Sequence, residues 1–217
     1  MDYDKLYPFW KDLSLLEREA IQRACLREKY AKGMRLYRSE ENCKGLLSVL
    51  SGQLRVYIVS EEGREVTLFR VYGGEVCVLS VSCLMDSIAF DVVIEATEET
   101  EVLVLPSAAV NQILQKNPYV ALYLYQTAAE RFSAVMWTMQ QILFKKIDQR
   151  VAAFLWEEAV RSKRTCLRLT HDEIARYIGS AREVVTRVLK YLAEHKAIAL
   201  GRGQIVITDR ERLKTFL

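Results

Sequence analysis

The sequence predicts an α+β chain in three parts: a β-rich sandwich or jelly roll, one long helix, and a winged helix-turn-helix. Three observations carry that prediction. Short alternating apolar segments fill residues 33–105, a seven-residue apolar repeat follows Pro118, and a capped helix, a glycine turn and a second amphipathic helix run from Thr170 to Lys190.

The elements follow in order. Leu13, Leu16, Ile21 and Leu26, with Ser14 and Glu17 at capping-box spacing, predict one or two short N-terminal helices. Beyond Gly33 come candidate strands at Leu46–Leu50, Leu54–Val59 and Val66–Val71. Ser51-Gly52, Glu62-Gly63 and Gly73-Gly74 separate them as turn signals. Many short strands at close spacing suit an antiparallel sandwich or jelly-roll barrel. Pro106-Ser107 closes the region and leads into a short helix.

A long helix begins after Pro118. Its apolar residues Ala121, Tyr125, Ala128, Phe132, Val135, Met139 and Ile142 are spaced 4, 3, 4, 3, 4, 3, which is a heptad seam. Such a stripe can simply pack on its own domain. An intersubunit seam is the favoured reading, because Val120, Leu122, Leu124, Met136 and Leu143 lie on other faces and could cover the domain separately. Ile147-Asp148-Gln149-Arg150-Val151 opens a further helix to about Val160, and Arg161–Arg164 forms a polar connector. The expected division is therefore residues 1–118, a dimerisation helix at 119–146, and a C-terminal domain at 147–217.

The segment 169–190 carries the strongest signal. Thr170 is a natural N-cap with Glu173 three residues on, Ala175 permits close helix approach, and Gly179 suits a left-handed turn. Ile174, Ile178, Val185 and Val188 form the apolar joint of a helix-turn-helix. The second helix presents Arg182, Glu183, Thr186 and Arg187 at its N-terminal end, the part that enters a major groove. Arginine can grip guanine through two hydrogen bonds, and glutamate can accept from cytosine. Thr170 and Ser180 flank these residues as further DNA contacts. Ala197–Leu200, Gly201-Arg202-Gly203 and Gln204–Thr208 read as a β-hairpin wing whose Arg202 can touch phosphate, and 209–217 as a short closing helix.

Charge agrees. Residues 147–217 hold 14 Lys/Arg against 9 Asp/Glu, a balance of +5; the whole chain carries +3, leaving −2 for residues 1–146. The basic excess sits where phosphate is expected. The five cysteines are scattered and include no Cys-x-x-Cys pair, so neither a disulfide framework nor a zinc finger is supported. No apolar run approaches the ~20 residues of a membrane span, and the acidic start, Met1-Asp2-Tyr3-Asp4, lacks signal-peptide order. A cytoplasmic protein is expected.

Over nearly its whole length the chain resembles the cyclic-AMP-receptor/fumarate-nitrate-reductase (Crp/Fnr) superfamily of bacterial transcription regulators. The stretches that carry the likeness are Ser51–Tyr57, Glu62–Leu68, Ile147–Ala152 and, most specifically, the helix-turn-helix through the wing. The resemblance implies a cyclic-nucleotide-binding-type jelly roll acting as sensor, a dimerising helix and a winged DNA-binding domain. It also implies a homodimer on an inverted repeat of double-stranded DNA, with RNA polymerase as a further partner. The sequence departs from the cyclic-nucleotide members. Their ribose-binding Gly-Glu falls near Val78-Leu79, their phosphate-binding Arg-Ser or Arg-Thr near Phe90-Asp91, and their adenine-facing Thr-Ser at Val135-Met136. A nucleotide phosphate would meet apolar groups and a carboxylate, so cyclic AMP is not the expected effector.

Nor does the N-terminus carry the clustered cysteines of iron–sulfur members. Both histidines, His171 and His195, lie in the C-terminal domain, which leaves no haem ligand of that type and removes cupin-type metal chemistry from the jelly roll. No nucleophile–base pair is evident, so no enzyme, cofactor or metal is expected. The leading reading is a regulator controlled by an unidentified small molecule. The alternative is thiol switching at Cys77 and Cys83, beside the would-be pocket.

Overall fold

The computed structural model describes residues 3–38, 45–78 and 92–217. Leu79, Cys83, Phe90 and Asp91, all expected at the effector pocket, lie outside the described residues. The chain forms two compact units: residues 1–58 with 68–135, and residues 59–67 with 136–217.

The first unit opens with α1 (Tyr3–Leu6), a 3-10 turn (Pro8–Asp12) and α2 (Leu15–Ala24). The expected capping box forms: Ser14 Oγ accepts from the Glu17 N–H, and the Glu17 carboxylate accepts from the Ser14 N–H at 2.7 Å. There follow β1 (Leu26–Tyr30), β2 (Arg35–Arg38), β3 (Leu46–Ser51), β4 (Gln53–Val59), β5 (Glu65–Tyr72), β6 (Val76–Cys77), β7 (Val93–Ala96) and β8 (Thr100–Leu105). They form two four-stranded sheets, ordered β1-β8-β3-β6 and β2-β7-β4-β5. Between the sheets Leu47, Val49, Val102 and Val104 of the first pack with Leu36, Leu54, Val56 and Ile94 of the second. This is the sandwich that the short strands predict.

The two sheets differ in burial. On β8, Val102 and Val104 enter the sandwich, whereas Leu103 and Leu105 pack outward under α1, α2, α3 (Ser107–Leu114) and the start of α4 (Pro118–Phe144). A helical layer therefore covers the outer face of the first sheet. β3 and β8 are buried on both sides, and Leu46-Leu47-Ser48-Val49 and Val102–Leu105 read as continuous runs for that reason. The one polar side chain of the β3 run, Ser48, donates to the Tyr7 hydroxyl at 2.9 Å. Between β3 and β4, Gly52 has φ +83°, and a Cβ there would lie 2.5 Å from the Glu99 carbonyl oxygen, so only glycine fits.

The second unit holds α5 (Ile147–Ser162), β9 (Cys166–Leu167), α6 (His171–Ile178), α7 (Arg182–Glu194), β10 (Ile198–Gly201), β11 (Gln204–Ile207) and α8 (Arg210–Lys214). β10, β11 and β9 make a three-stranded antiparallel sheet. Leu155, Ile174, Leu189, Leu192 and Ile205 are buried in one core that joins the helices to that sheet. No helix among the described residues is long and apolar enough to cross a membrane.

Candidate nucleic-acid interface

The helix-turn-helix follows from its caps. Thr170, in extended conformation, accepts the Glu173 N–H on its hydroxyl at 3.1 Å while Glu173 reaches back to the Thr170 N–H at 2.9 Å. These bonds satisfy orphan donors at the start of α6. Gly179 ends the helix at φ +64°, ψ +51°, and the next N–H, of Ser180, donates to the Ala175 carbonyl at 2.9 Å. α7 then starts from Ala181. Ile174, Ile178, Val185 and Val188 are all buried in the joint, as their spacing predicts.

On the outer side of α7, Arg182, Glu183 and Arg187 are exposed and Thr186 is half-buried. Ala181 is an N-cap without a side-chain acceptor, so no side chain caps the first-turn N–H groups of α7. Thr186 donates to the Arg182 carbonyl at 2.8 Å and meets the ring of His171 at 2.9 Å. The wing turn places Arg202, exposed, between Gly201 and Gly203. A cavity of about 350 Å³ lies among the start of α6, the start of α7 and the wing, lined by Thr170, His171, Asp172, Arg182 and Gln204. The candidate DNA residues Arg182, Glu183, Thr186 and Arg187 thus share one helix face, with Arg202 on the hairpin beside the same cavity. Thr170 sits at its edge with its hydroxyl engaged in the cap, and Ser180 is half-buried in the turn.

His171 was not among the candidate contacts that the sequence suggested; its proximity to Thr186 depends on how the two helices fold together. The same holds for Arg64 and Thr67, in the 59–67 segment of the second unit. Arg64 donates to the Gly179 carbonyl and Thr67 to the Arg176 carbonyl at 3.1 Å, while Arg150 of α5 donates to the Ile178 carbonyl. Three side chains from two distant segments thus occupy carbonyls at the end of α6.

At the expected effector site, Cys77 and Val78 are fully buried, the former in the sandwich core. Val135 is half-buried against that core, and Met136 is exposed. Arg131, one turn earlier on α4, pairs with Glu75 at 3.0 Å and lies over the Phe69 ring at 5.3 Å. An arginine at helical spacing from the apolar stripe was the signal that could have singled it out. No group of three or more metal-ligating side chains stands together among the described residues.

The seam on α4 is divided. Tyr125, Phe132 and Met139 are exposed, but Ala121, Ala128 and Val135 are half-buried, the last two against the first unit's own cores. The exposed apolar line beside them is instead Leu122, Ala129, Met136 and Leu143, one residue further along, and Ile142 is marginally exposed. The expected seam residues therefore differ in exposure, because α4 also covers the first unit with Val120 and Leu124.

Comparison with known proteins agrees with this architecture. A family model for a cyclic nucleotide-binding domain matches residues 27–117, and one for a Crp-like helix-turn-helix domain matches residues 149–216. A crystal structure of a Crp/Fnr-family transcriptional regulator from Eubacterium rectale ATCC 33656 is 41% identical, covers 97% of this chain and 98% of its own, and superposes with a TM-score of 0.92. Transcriptional regulator SdrP of Thermus thermophilus is 30% identical over 172 residues, 76% of this chain and 80% of that protein. The Cyclic AMP receptor protein of the same organism is 27% identical over 188 residues, 87% and 86% of the two chains. The chain described here belongs to the Crp/Fnr family of DNA-binding transcription regulators.

Proposed function

We propose that the protein acts as a homodimer on an inverted repeat of double-stranded DNA, reading bases with Arg182, Glu183, Thr186 and Arg187. The observation that carries this reading is the outer face of α7: three charged side chains at the N-terminal end of a helix whose opposite face is sealed in the core. Arg202 on the wing, together with Thr170 and Ser180 beside the turn, serves the phosphate backbone. Residues 1–118 act as sensor, 119–146 as dimerisation helix and 147–217 as reader. The pairing face of α4 comprises Tyr125, Phe132 and Met139 with Leu122, Met136 and Leu143; Phe132 is 67% exposed and Leu143 66%. RNA polymerase is the further partner of the DNA-bound dimer, and the cytoplasm its compartment.

The effector is a small molecule other than cyclic AMP. Val78 and Val135 supply only apolar contact at the positions where cyclic-nucleotide members place polar groups, which supports that exclusion. Cys77 is fully buried, which favours packing over thiol switching. Titration calorimetry with cyclic AMP is expected to show no binding at micromolar concentrations; a low-micromolar Kd with tightened DNA binding would contradict it. Native mass spectrometry tests the assembly directly. Two chains alone, two chains per duplex, and any effector as added mass are expected; a single chain bound to duplex would contradict the dimer.

A further inference from the structure

His171 is the first residue of α6 and half-buried, and its Nδ1 lies 2.9 Å from the Thr186 hydroxyl oxygen on α7. That hydroxyl has one proton and donates it to the Arg182 carbonyl at 2.8 Å. Its oxygen can then only accept, so Nδ1 of His171 carries the hydrogen. The remaining ring nitrogen, Nε2, is the one that changes with protonation: an acceptor in the neutral ring and a second donor in the charged one. The Nδ1 bond is the same in both states, so the ring is held ready for a second proton. The ring also lines the cavity among α6, α7 and the wing.

We propose that His171 is a DNA-phosphate contact that works in its protonated form, so that DNA binding takes up a proton at this ring. The proposal rests on the reading of α7 as the recognition helix. The charged groups around the ring explain why the proton arrives with DNA. On α6 the neighbouring charge is Asp172; on α7 they are Arg182 and Lys190; the wing lines the cavity with Gly201, Gly203 and neutral Gln204, and carries exposed Arg202 between the two glycines. α5 and the 59–67 segment bring Arg150 and Arg64 to the opposite end of α6. Burial first, then the charges of Arg182 and Lys190, hold the imidazole below its ordinary range, so the free protein is neutral there at pH 7. A phosphate entering the cavity offsets those two cations and favours the imidazolium. Proton affinity is then higher in the complex than in the free protein, and DNA binding strengthens as pH falls through the interval between the two values. Within that interval the gain is up to about tenfold per pH unit for each protomer.

The experiment measures affinity from pH 8.5 to 5.5 at fixed salt for two probes: a duplex carrying the inverted repeat recovered by selection, and a mixed-sequence duplex of the same length at low salt. Calorimetry of the wild type in phosphate and in Tris reports the proton directly, since uptake makes the observed enthalpy depend on the buffer. His171→Gln is expected to bind with the weak, high-pH affinity at every pH, and His171→Lys to lose the pH slope while keeping strong binding. The chain's other histidine, His195, lies against the Tyr191 carbonyl, and His195→Gln is expected to keep the wild-type slope. A slope retained by His171→Gln, or a wild-type enthalpy that does not change with buffer, would overturn the proposal. Failure of the wild type to bind either duplex at any pH would instead sink the recognition-helix reading beneath it.

Discussion

α4 and α7 are both half-buried helices, yet their outer faces differ in kind. α7 buries Val185, Val188, Leu189 and Leu192 and turns Arg182, Glu183, Arg187 and Lys190 outward. α4 buries Val120, Leu124 and Thr127, but turns Leu122, Tyr125, Phe132, Met136, Met139 and Leu143 outward. A charged, hydrogen-bonding face costs nothing in water and matches a polyanion. A contiguous apolar face left in water is unfavourable until something covers it, and heptad spacing specifies that the cover is another helix of like pattern. The contrast is what the proposed partners rest on: nucleic acid for α7 and a second copy of the chain for α4.

The largest expected effect breaks that contrast by giving α4 the character of α7. Phe132→Glu with Met139→Glu would place four like charges on the seam of a dimer, desolvated and unpaired. Size-exclusion with light scattering should show monomer, and DNA affinity should collapse. A double variant that remains a dimer would mean that the exposed stripe does not pair subunits. On α7, Arg187→Ala should cost about 1–3 kcal/mol on the specific site and relax discrimination at one base position. Arg202→Ala should weaken binding to all sequences alike and reduce the salt dependence. Competition assays against random duplex separate the two outcomes, and equal losses from both variants would contradict the division between reader and wing. The smallest effect concerns the turn that aims α7. Gly179→Ala must hold φ +64° with its new Cβ 3.0 Å from Val66 Cγ2, so a loss of roughly 1–2 kcal/mol in thermal stability is expected. An unchanged Tm would show that the turn tolerates a side chain.

The helix-turn-helix was legible almost residue by residue because its determinants are local. Thr170 and Glu173 satisfy backbone donors three positions apart, and Gly179 answers a conformational demand of its own peptide unit. The sandwich was legible in class but not in layering. Nothing in Val102–Leu105 says which alternate residues face the helices and which the second sheet, because both faces are apolar. On α4 the spacing predicts a seam in two lines, but Ala128 and Val135 pack on the first unit's own cores, where small or branched residues fit. Arg64 and Thr67 at the end of α6, and His171 beside Thr186, could not be read from sequence. The two longer-range contacts join residues more than a hundred positions apart, and each is made by an ordinary polar side chain.

Selection of binding sites by the wild-type protein from a random duplex library tests the central claim most directly. An inverted repeat is expected, with half-site centres about one helical turn, ~34–36 Å, apart. Half-sites containing G·C pairs are expected from Arg182, Glu183 and Arg187. Recovery of no palindrome would contradict the assignment of α7 as the reader and α4 as the element that pairs two readers.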